Sequence, residues 1–97
     1  MKLKCIRKTG SDGSVSLKLE GEFTVYTVRK LKDLFMKELG SSTRLELDLS
    51  GIRKFDSAGY QLLELTGAEA EKLGRTLLFL GKSAEVAKLL TLYGSCI

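Results

Sequence analysis

The stretch "RLELDLSGIRKFDSAGYQLL", residues 44–63, contains two different hydrophobic periods. Its first half alternates leucine with charged residues, which is the two-residue period of a half-buried strand. After Asp56 the apolar residues fall at a helical spacing, and Ser57, Ala58 and Gly59 are all small. The stretch therefore predicts a strand, a short loop and a helix, with an acid and a hydroxyl at the junction.

The segments before this stretch predict a β-hairpin. "SVSLKLE", residues 14–20, alternates strictly between apolar and polar side chains, and "KLKCIRK", residues 2–8, also has a strand pattern. Gly10, Asp12 and Gly13 lie between them and have the chemistry of a turn. The first two strands are therefore expected to pair antiparallel.

A first helix is predicted between the hairpin and residue 44. Thr24 or Thr27 is a candidate for its cap, and Gly40 is placed to end it. Its apolar residues follow a helical spacing: Val28, Leu31, Phe35 and Leu39.

Two more helices and a strand are predicted after Gly59. The second helix ends at Gly74, and its apolar face contains Leu62, Leu63, Thr66, Ala70 and Leu73. "TLLFL", residues 76–80, is short and continuously apolar, which is typical of a strand buried on both faces. Ser83 is the predicted N-cap of the third helix, with Glu85 in its first turn and Gly94 at its end. The core face of this helix is predicted to contain Val86, Leu89, Leu90 and Tyr93.

These elements predict one α/β domain over residues 1–97 in the order β-β-α-β-α-β-α. Strands three and four each follow a helix, so their connections are expected to be right-handed crossovers between parallel strands. Leu45, Leu47 and Leu49 face the core, while the alternate residues of strands two and three are polar. We therefore expect a small mixed four-stranded sheet with helices mainly on one face.

The composition excludes several classes of function. Net charge is +4, but the basic residues are spread along the chain and aromatics are few, so no nucleic-acid partner is expected. The chain has no histidine, which removes Ser-His-Asp and Cys-His catalysis and histidine-containing metal sites. We expect no cofactor and no metal. No segment is long and apolar enough to span a membrane and no signal peptide is evident, so a soluble cytoplasmic protein without membrane insertion is expected.

The two cysteines, Cys5 and Cys96, lie at opposite ends of the chain and share no motif spacing. Cys5 falls in a strand pattern and is interpreted as a small core residue. Cys96 is a candidate for an exposed thiol. A disulfide between them has no support in the sequence, and the reduced cytosol is the default interpretation.

Residues 56–59 have two interpretations. In one, Asp56 or Ser57 caps the helix, for about 1 kcal/mol, and Ala58 and Gly59 are small for packing. In the other, these residues form a small, flat docking surface at the carboxyl end of a strand, where sites in α/β sheets tend to occur. Gly59 also permits the close approach of another backbone. Catalysis is not expected, because Asp56 is too weak a base at neutral pH to ionise Ser57.

Ser57 is better suited to accept a phosphate. A phosphoserine carries about −1.5 to −2 charges. At the start of a helix its oxygens would meet free backbone N–H groups and the positive end of the helix dipole, although Asp56 would repel it. The expected result is a folded protein with a new anionic surface, on which a docked partner loses its fit.

The stretch "LELDLSGIRKFDSAGYQLL", residues 45–63, resembles the signature of the STAS domain, the family that includes bacterial anti-sigma factor antagonists. "LEGEF", residues 19–23, resembles the end of the family's second strand. "LGRTLLFLGKSAEVAKLLTLYG", residues 73–94, resembles its fourth strand and the helix that follows. The resemblance covers nearly the whole chain in the right order.

The resemblance implies a role in transcription regulation by partner switching. In such antagonists a serine kinase that is also an anti-sigma factor phosphorylates the first serine after the motif aspartate, which is Ser57 here. The unphosphorylated antagonist binds the anti-sigma factor and frees the sigma factor, and a phosphatase resets the switch. The implied partner-binding residues are Asp56, Ser57, Ala58, Gly59, Glu22 and Thr24.

Two departures from the family pattern bear on the partner. Ala58 replaces a second serine, which leaves Ser57 as the sole acceptor there, and Thr24 stands where the family usually has an acid. The alternative function is a constitutive STAS subunit of a larger assembly, such as a lipid-transport ABC complex or a chemosensory cluster, without phosphorylation. Phe23, Val25 and Tyr26 either extend the partner surface or belong to the core, and the sequence favours neither.

Overall fold

The computed structural model describes residues 3–94 of the chain. The elements are β1 (Leu3–Thr9), β2 (Ser14–Phe23), α1 (Val28–Ser41), β3 (Arg44–Phe55), α2 (Ser57–Leu73), β4 (Thr76–Lys82) and α3 (Ala84–Leu92). Their order is the predicted β-β-α-β-α-β-α, and the four strands form one mixed sheet, as predicted.

The sheet has the order β1-β2-β3-β4, so β1 and β4 are its edges. β1 pairs antiparallel with β2, from Leu3 opposite Gly21 to Thr9 opposite Val15. The hairpin turn contains Gly13 with φ 86°, a left-handed conformation that glycine adopts without strain. β2 pairs parallel with β3 and β3 parallel with β4, because a helix crosses over between each pair.

The core lies between one face of the sheet and the three helices. The alternation of the two central strands agrees with this placement, since Ser16 and Lys18 of β2 and Glu46 and Asp48 of β3 alternate with buried apolar residues. The apolar cluster contains Val15, Leu17, Leu19, Phe23, Leu31, Phe35, Leu39, Leu45, Leu47, Leu49, Ile52, Leu62, Leu63, Ala70, Val86 and Leu90. The prediction that helices gather on one face is therefore confirmed.

The predicted end of α1 at Gly40 is wrong. The helix continues to Ser41, and Ser42 is its C-cap. Both the backbone N–H and the hydroxyl of Ser42 donate to the Glu38 carbonyl, at 2.9 and 2.6 Å. Because Ser42 supplies these donors, Gly40 remains helical and keeps a negative φ. Thr27 is the N-cap, but its side chain makes no capping hydrogen bond.

The prediction that β4 is buried on both faces is wrong. Leu78 and Leu80 of β4 are 41% and 55% exposed. The reason is that these two side chains point to the face of the sheet without helices, on a strand that lies at the edge. Leu73, at the end of α2, is also largely exposed and does not join the core.

Cys5 is exposed, so its interpretation as a core residue is wrong. β1 is an edge strand, and only part of the Cys5 side chain is covered. This partial burial is the larger of two causes that raise the pKa of the thiol, and the negative charge of the Glu38 carboxylate is the smaller. Cys96 lies outside the described residues.

Candidate functional site

Asp56 forms the junction between β3 and α2. β3 ends at Phe55, Asp56 has an extended backbone, and α2 begins at Ser57. Oδ1 of Asp56 accepts the backbone N–H groups of Ala58 and Gly59, at 3.0 and 3.2 Å. Asp56 is therefore the N-cap of α2, an arrangement worth about 1 kcal/mol.

The second carboxylate oxygen of Asp56 holds a different part of the chain. Oδ2 accepts the backbone N–H of Val25 at 3.0 Å. Val25 lies in the turn between β2 and α1, where the Thr24 carbonyl accepts the N–H groups of Thr27 and Val28, each at 2.9 Å. One side chain thus caps α2 and fixes a turn 31 residues away in sequence.

Ser57 is exposed at the first position of α2. Within residues 3–94, its hydroxyl has no hydrogen-bond partner. Because the Asp56 carboxylate already accepts the N–H groups of Ala58 and Gly59, the cap of α2 does not need the Ser57 hydroxyl. The acid and the hydroxyl of this junction therefore have separate roles.

Gly59 lies beneath the protein surface at which Ser57 is exposed. It is buried, and a Cβ placed on it would lie 2.7 Å from the Phe23 carbonyl oxygen and 2.7 Å from a ring carbon of Phe55. The predicted close approach of another backbone is confirmed by this contact. Of residues 56–59, Ser57 is exposed and Asp56 and Ala58 are half-buried, so these three are accessible at this end of α2.

Phe23, Val25 and Tyr26, which the sequence assigns either to the core or to a partner surface, lie in two different environments around the turn between β2 and α1. Phe23 is fully buried, edge-on to the rings of Phe35 and Phe55. Val25 and Tyr26 are 59% and 80% exposed. Phe23 therefore belongs to the core, while the next two apolar side chains form an exposed surface.

Thr24 and Glu22 have partners within the chain. Thr24 is only 8% exposed, and its hydroxyl accepts the Tyr26 N–H at 3.3 Å. The Glu22 carboxylate lies 3.7 Å from the Lys54 ammonium of the neighbouring strand. Thr24 thus supports the turn from inside, whereas Glu22 is half-buried beside a largely exposed cation.

Three backbone N–H groups that follow Ser57 are already occupied. The Asp56 carboxylate accepts those of Ala58 and Gly59, and the Asp56 carbonyl accepts that of Tyr60 at 3.1 Å. The expectation of free donors is therefore wrong for these three groups, because a capping carboxylate precedes the serine. A phosphate on Ser57 would still lie at the positive end of the helix dipole.

The sequence did not reveal Val25 as a partner of Asp56. A bond between a backbone N–H and an acid 31 residues away leaves no signal in the composition or in the hydrophobic period of the sequence.

Among residues 3–94, no cluster of His, Cys, Asp and Glu is large enough to hold a metal ion. None of the described helices combines the length and the apolar character that a membrane span requires.

Solved structures share this fold. SpoIIAA, an anti-sigma factor antagonist, in its unphosphorylated form has a TM-score of 0.79 and 18% identity, covering 94% of this chain and 81% of that chain. The phosphorylated form of the Bacillus cell fate determinant SpoIIAA has a TM-score of 0.76 and 18% identity, with coverage of 94% and 84%. An anti-sigma factor antagonist from Mycobacterium paratuberculosis has a TM-score of 0.81 and 19% identity, with coverage of 95% and 78%.

At these identities the likeness to solved structures shows the fold alone. No curated protein sequence matches the chain. The family model described as "Mlab, STAS domain" matches residues 6–95, which is nearly the whole sequence. The chain therefore belongs to the STAS domain family.

Proposed function

We propose that this protein is an anti-sigma factor antagonist-like signalling module whose partner binding is controlled by phosphorylation of Ser57. The observation that carries the proposal is that Asp56 and Ser57 have separate roles at the junction between β3 and α2. Asp56 caps α2 with one oxygen and anchors Val25 with the other, and the exposed Ser57 hydroxyl forms no hydrogen bond within residues 3–94. SpoIIAA, which shares the fold, has solved structures in unphosphorylated and phosphorylated forms.

The proposed partner is a serine kinase that is also an anti-sigma factor. Its contact surface is formed by Ser57 and Ala58 together with Val25 and Tyr26, which the Asp56–Val25 bond brings to the same junction. We assign Asp56, Gly59 and Thr24 to the support of this surface, because each is engaged in contacts beneath it. Glu22 lies at its border, paired with Lys54.

Phosphorylation would change the charge of this surface with little change in the fold. The phosphate adds about −1.5 to −2 charges next to the Asp56 carboxylate, on a patch where Val25 and Tyr26 are apolar. A partner that fits the neutral patch would then have to desolvate this charge. The core beneath, where Gly59 meets Phe23 and Phe55, does not contact the hydroxyl.

The proposal has further parts. A phosphatase removes the phosphate and resets the switch, and the module itself carries out no catalysis. Residues 1–97 act as one domain in the bacterial cytoplasm.

Phosphosite mapping tests the proposal. The chain is incubated with the cognate kinase and ATP, and the modified residue is located by mass spectrometry. We expect one phosphate on Ser57, none on the Ser57→Ala variant, and unchanged modification of the Ser83→Ala variant, which removes the hydroxyl at the start of α3. A competent kinase that binds this chain and leaves Ser57 unmodified would contradict the proposal.

One observation favours the alternative, a constitutive subunit of a larger assembly such as a lipid-transport ABC complex or a chemosensory cluster. The N–H groups of Ala58 and Gly59 in the first turn of α2 already donate to Asp56, so they are not available to bind a phosphate. Partner capture with Ser57→Asp and Ser57→Ala separates the two functions. If Ser57→Asp weakens binding and Ser57→Ala preserves it, the phosphorylation switch is supported; equal retention of both favours the constitutive subunit.

A further inference from the structure

The net positive charge of the protein is concentrated on β1 and α1. These two elements together contain seven basic and two acidic side chains, a net charge of +5. The rest of the described chain, residues 10–27 and 42–94, contains eight basic and ten acidic side chains, a net charge of −2. An acidic partner is therefore attracted to the side formed by β1 and α1 more than to the remainder of the surface.

A groove of about 680 Å³ lies between these two elements and is called here the β1–α1 groove. Leu3 of β1 and Leu31 and Leu34 of α1 line it with apolar surface. Leu31 is buried, whereas Leu3 and Leu34 are half-buried and accessible from the groove. Tyr26, which precedes α1 and is 80% exposed, also lines the groove. The groove therefore offers apolar contacts within the most basic part of the molecule.

A buried ion pair joins the two walls of the groove. Glu38 of α1 is only 3% exposed, and Nε and Nη2 of Arg7 donate to its two carboxylate oxygens. Arg7 lies on the same side of β1 as Leu3 and Cys5, which line the groove. Because the charges of Arg7 and Glu38 neutralise each other, this pair fixes the walls and adds little to the attraction of an occupant.

Three other charged side chains of α1 line the groove: Arg29, Lys30 and Asp33. All three are exposed, and none forms an ion pair with another residue between 3 and 94. Carboxylates of an occupant can pair with the two cations, and Asp33 can accept its backbone N–H groups. The groove thus fits a chain that combines apolar and acidic side chains.

The shape of the groove favours a peptide over other acidic partners. A bilayer surface is flat and does not enter a groove, and the phosphates of a nucleic acid gain nothing from the leucines that line it. An extended peptide is narrow, and its alternate side chains point to opposite sides. Leucine-like side chains can then fill the groove while acidic ones reach its cationic border.

We propose that the β1–α1 groove binds an acidic segment with apolar side chains, contributed by the partner protein that contacts Ser57. Tyr26 connects the two sites, because it lines the groove and belongs to the surface that also contains Val25. The inference rests on the proposed function only in this identity of the partner. The apolar contacts supply most of the affinity, while the exposed cations add an attraction that salt screens.

Titration of the full chain with synthetic peptides, followed by amide NMR shifts, tests the proposal. The probe is an eight-residue peptide of alternating glutamate and leucine. It should bind at about 1 mM or below and shift amides of β1 and α1. Binding should weaken at least about three-fold between 0.05 and 0.5 M salt. Serine in place of leucine should weaken it at least about five-fold, and the peptide with lysine in place of glutamate should not bind.

Two matched variants separate the groove from the overall charge. Lys30→Glu should weaken binding of the glutamate–leucine peptide at least about five-fold, whereas Lys88→Glu, the same charge change on α3, should weaken it less than about two-fold. Circular dichroism shows whether each variant is folded. In a Cys96→Ser chain, a saturating amount of the peptide should slow the alkylation of Cys5, which lines the groove, at least about three-fold.

Several outcomes would overturn the proposal. They are no binding of the glutamate–leucine peptide at millimolar concentration, equal effects of the two charge reversals, or alkylation of Cys5 at an unchanged rate. Binding of phosphatidylglycerol vesicles that Lys30→Glu abolishes would assign the groove to a lipid surface instead. Phosphosite mapping at Ser57 uses none of these probes, so the groove and the phosphorylation switch can fail separately.

Discussion

Two junctions of this protein place the same dipeptide, Ser-Ala, at the start of a helix after a parallel strand. At the second junction Ser83 is the N-cap of α3, and its hydroxyl accepts the Val86 N–H at 3.3 Å. At the first junction Asp56 is the N-cap, so Ser57 is the first residue inside α2. A shift of one residue therefore decides whether a serine hydroxyl is used by the fold or left free.

The residue before each serine causes this shift. Asp56 has oxygens that accept backbone N–H groups, whereas Lys82 has only donors and cannot cap a helix start. A carboxylate in front of the serine takes over the capping role and releases the hydroxyl for other chemistry. Asp56 thus caps α2 with one carboxylate oxygen and holds Val25 with the other, as the proposed switch requires.

The largest effect is expected at the third helical position of the first junction. Gly59→Ala places a methyl group 2.7 Å from the Phe23 carbonyl oxygen and against the Phe55 ring, so the free energy of unfolding should fall by about 3 kcal/mol. Urea unfolding measures this loss. Gly67→Ala, in the same helix but with open space around the new Cβ, is the matched control and should stabilise by up to about 1 kcal/mol. Equal effects of the two substitutions would exclude the close contact at Gly59.

The next effect compares the two caps. Asp56→Ala removes the acceptor of three N–H groups, from Ala58, Gly59 and Val25, and should cost about 2 kcal/mol. Ser83→Ala removes the acceptor of one N–H group and should cost about 1 kcal/mol. Amide hydrogen exchange adds a local readout, because only Asp56→Ala should speed the exchange of the Val25 amide. Unchanged protection of Val25 would show that the carboxylate does not hold the turn.

The smallest effect on stability is expected at the two serines of the dipeptides. Ser57→Ala should change the free energy of unfolding by no more than about 0.5 kcal/mol, because its hydroxyl bonds to none of the residues that the structure describes. Ser83→Ala should lower it by about twice that amount, as a lost cap. Thermal and urea unfolding of both variants in parallel measure the difference. A larger loss for Ser57→Ala than for Ser83→Ala would contradict the assignment of the caps.

The sequence predicted the local parts of this comparison well. The element order, the Ser83 cap and the αL ends of α2 and α3 at Gly74 and Gly94 depend on neighbouring residues and were visible in period and turn chemistry. The position of Ser57 at the start of α2 followed from the same signals.

What the sequence did not predict depends on contacts between distant segments. The Asp56–Val25 bond joins residues 31 apart in sequence, which no local pattern shows. The exposure of Leu78 and Leu80 depends on which face of the sheet the helices cover and on the edge position of β4, and a continuously apolar run indicates neither. The occupied N–H groups of Ala58 and Gly59 depend on which residue caps α2, and spacing alone left that choice open between Asp56 and Ser57.

The affinity of the kinase partner for the chain before and after phosphorylation, measured by titration calorimetry, tests the central claim most directly. Thermal unfolding of the same two samples shows whether the fold has changed. The account predicts that one phosphate on Ser57 weakens binding at least ten-fold while the unfolding temperature shifts by only a few degrees, since the core beneath the junction does not use the hydroxyl. Equal affinity of the two forms, or loss of the fold on phosphorylation, would contradict it.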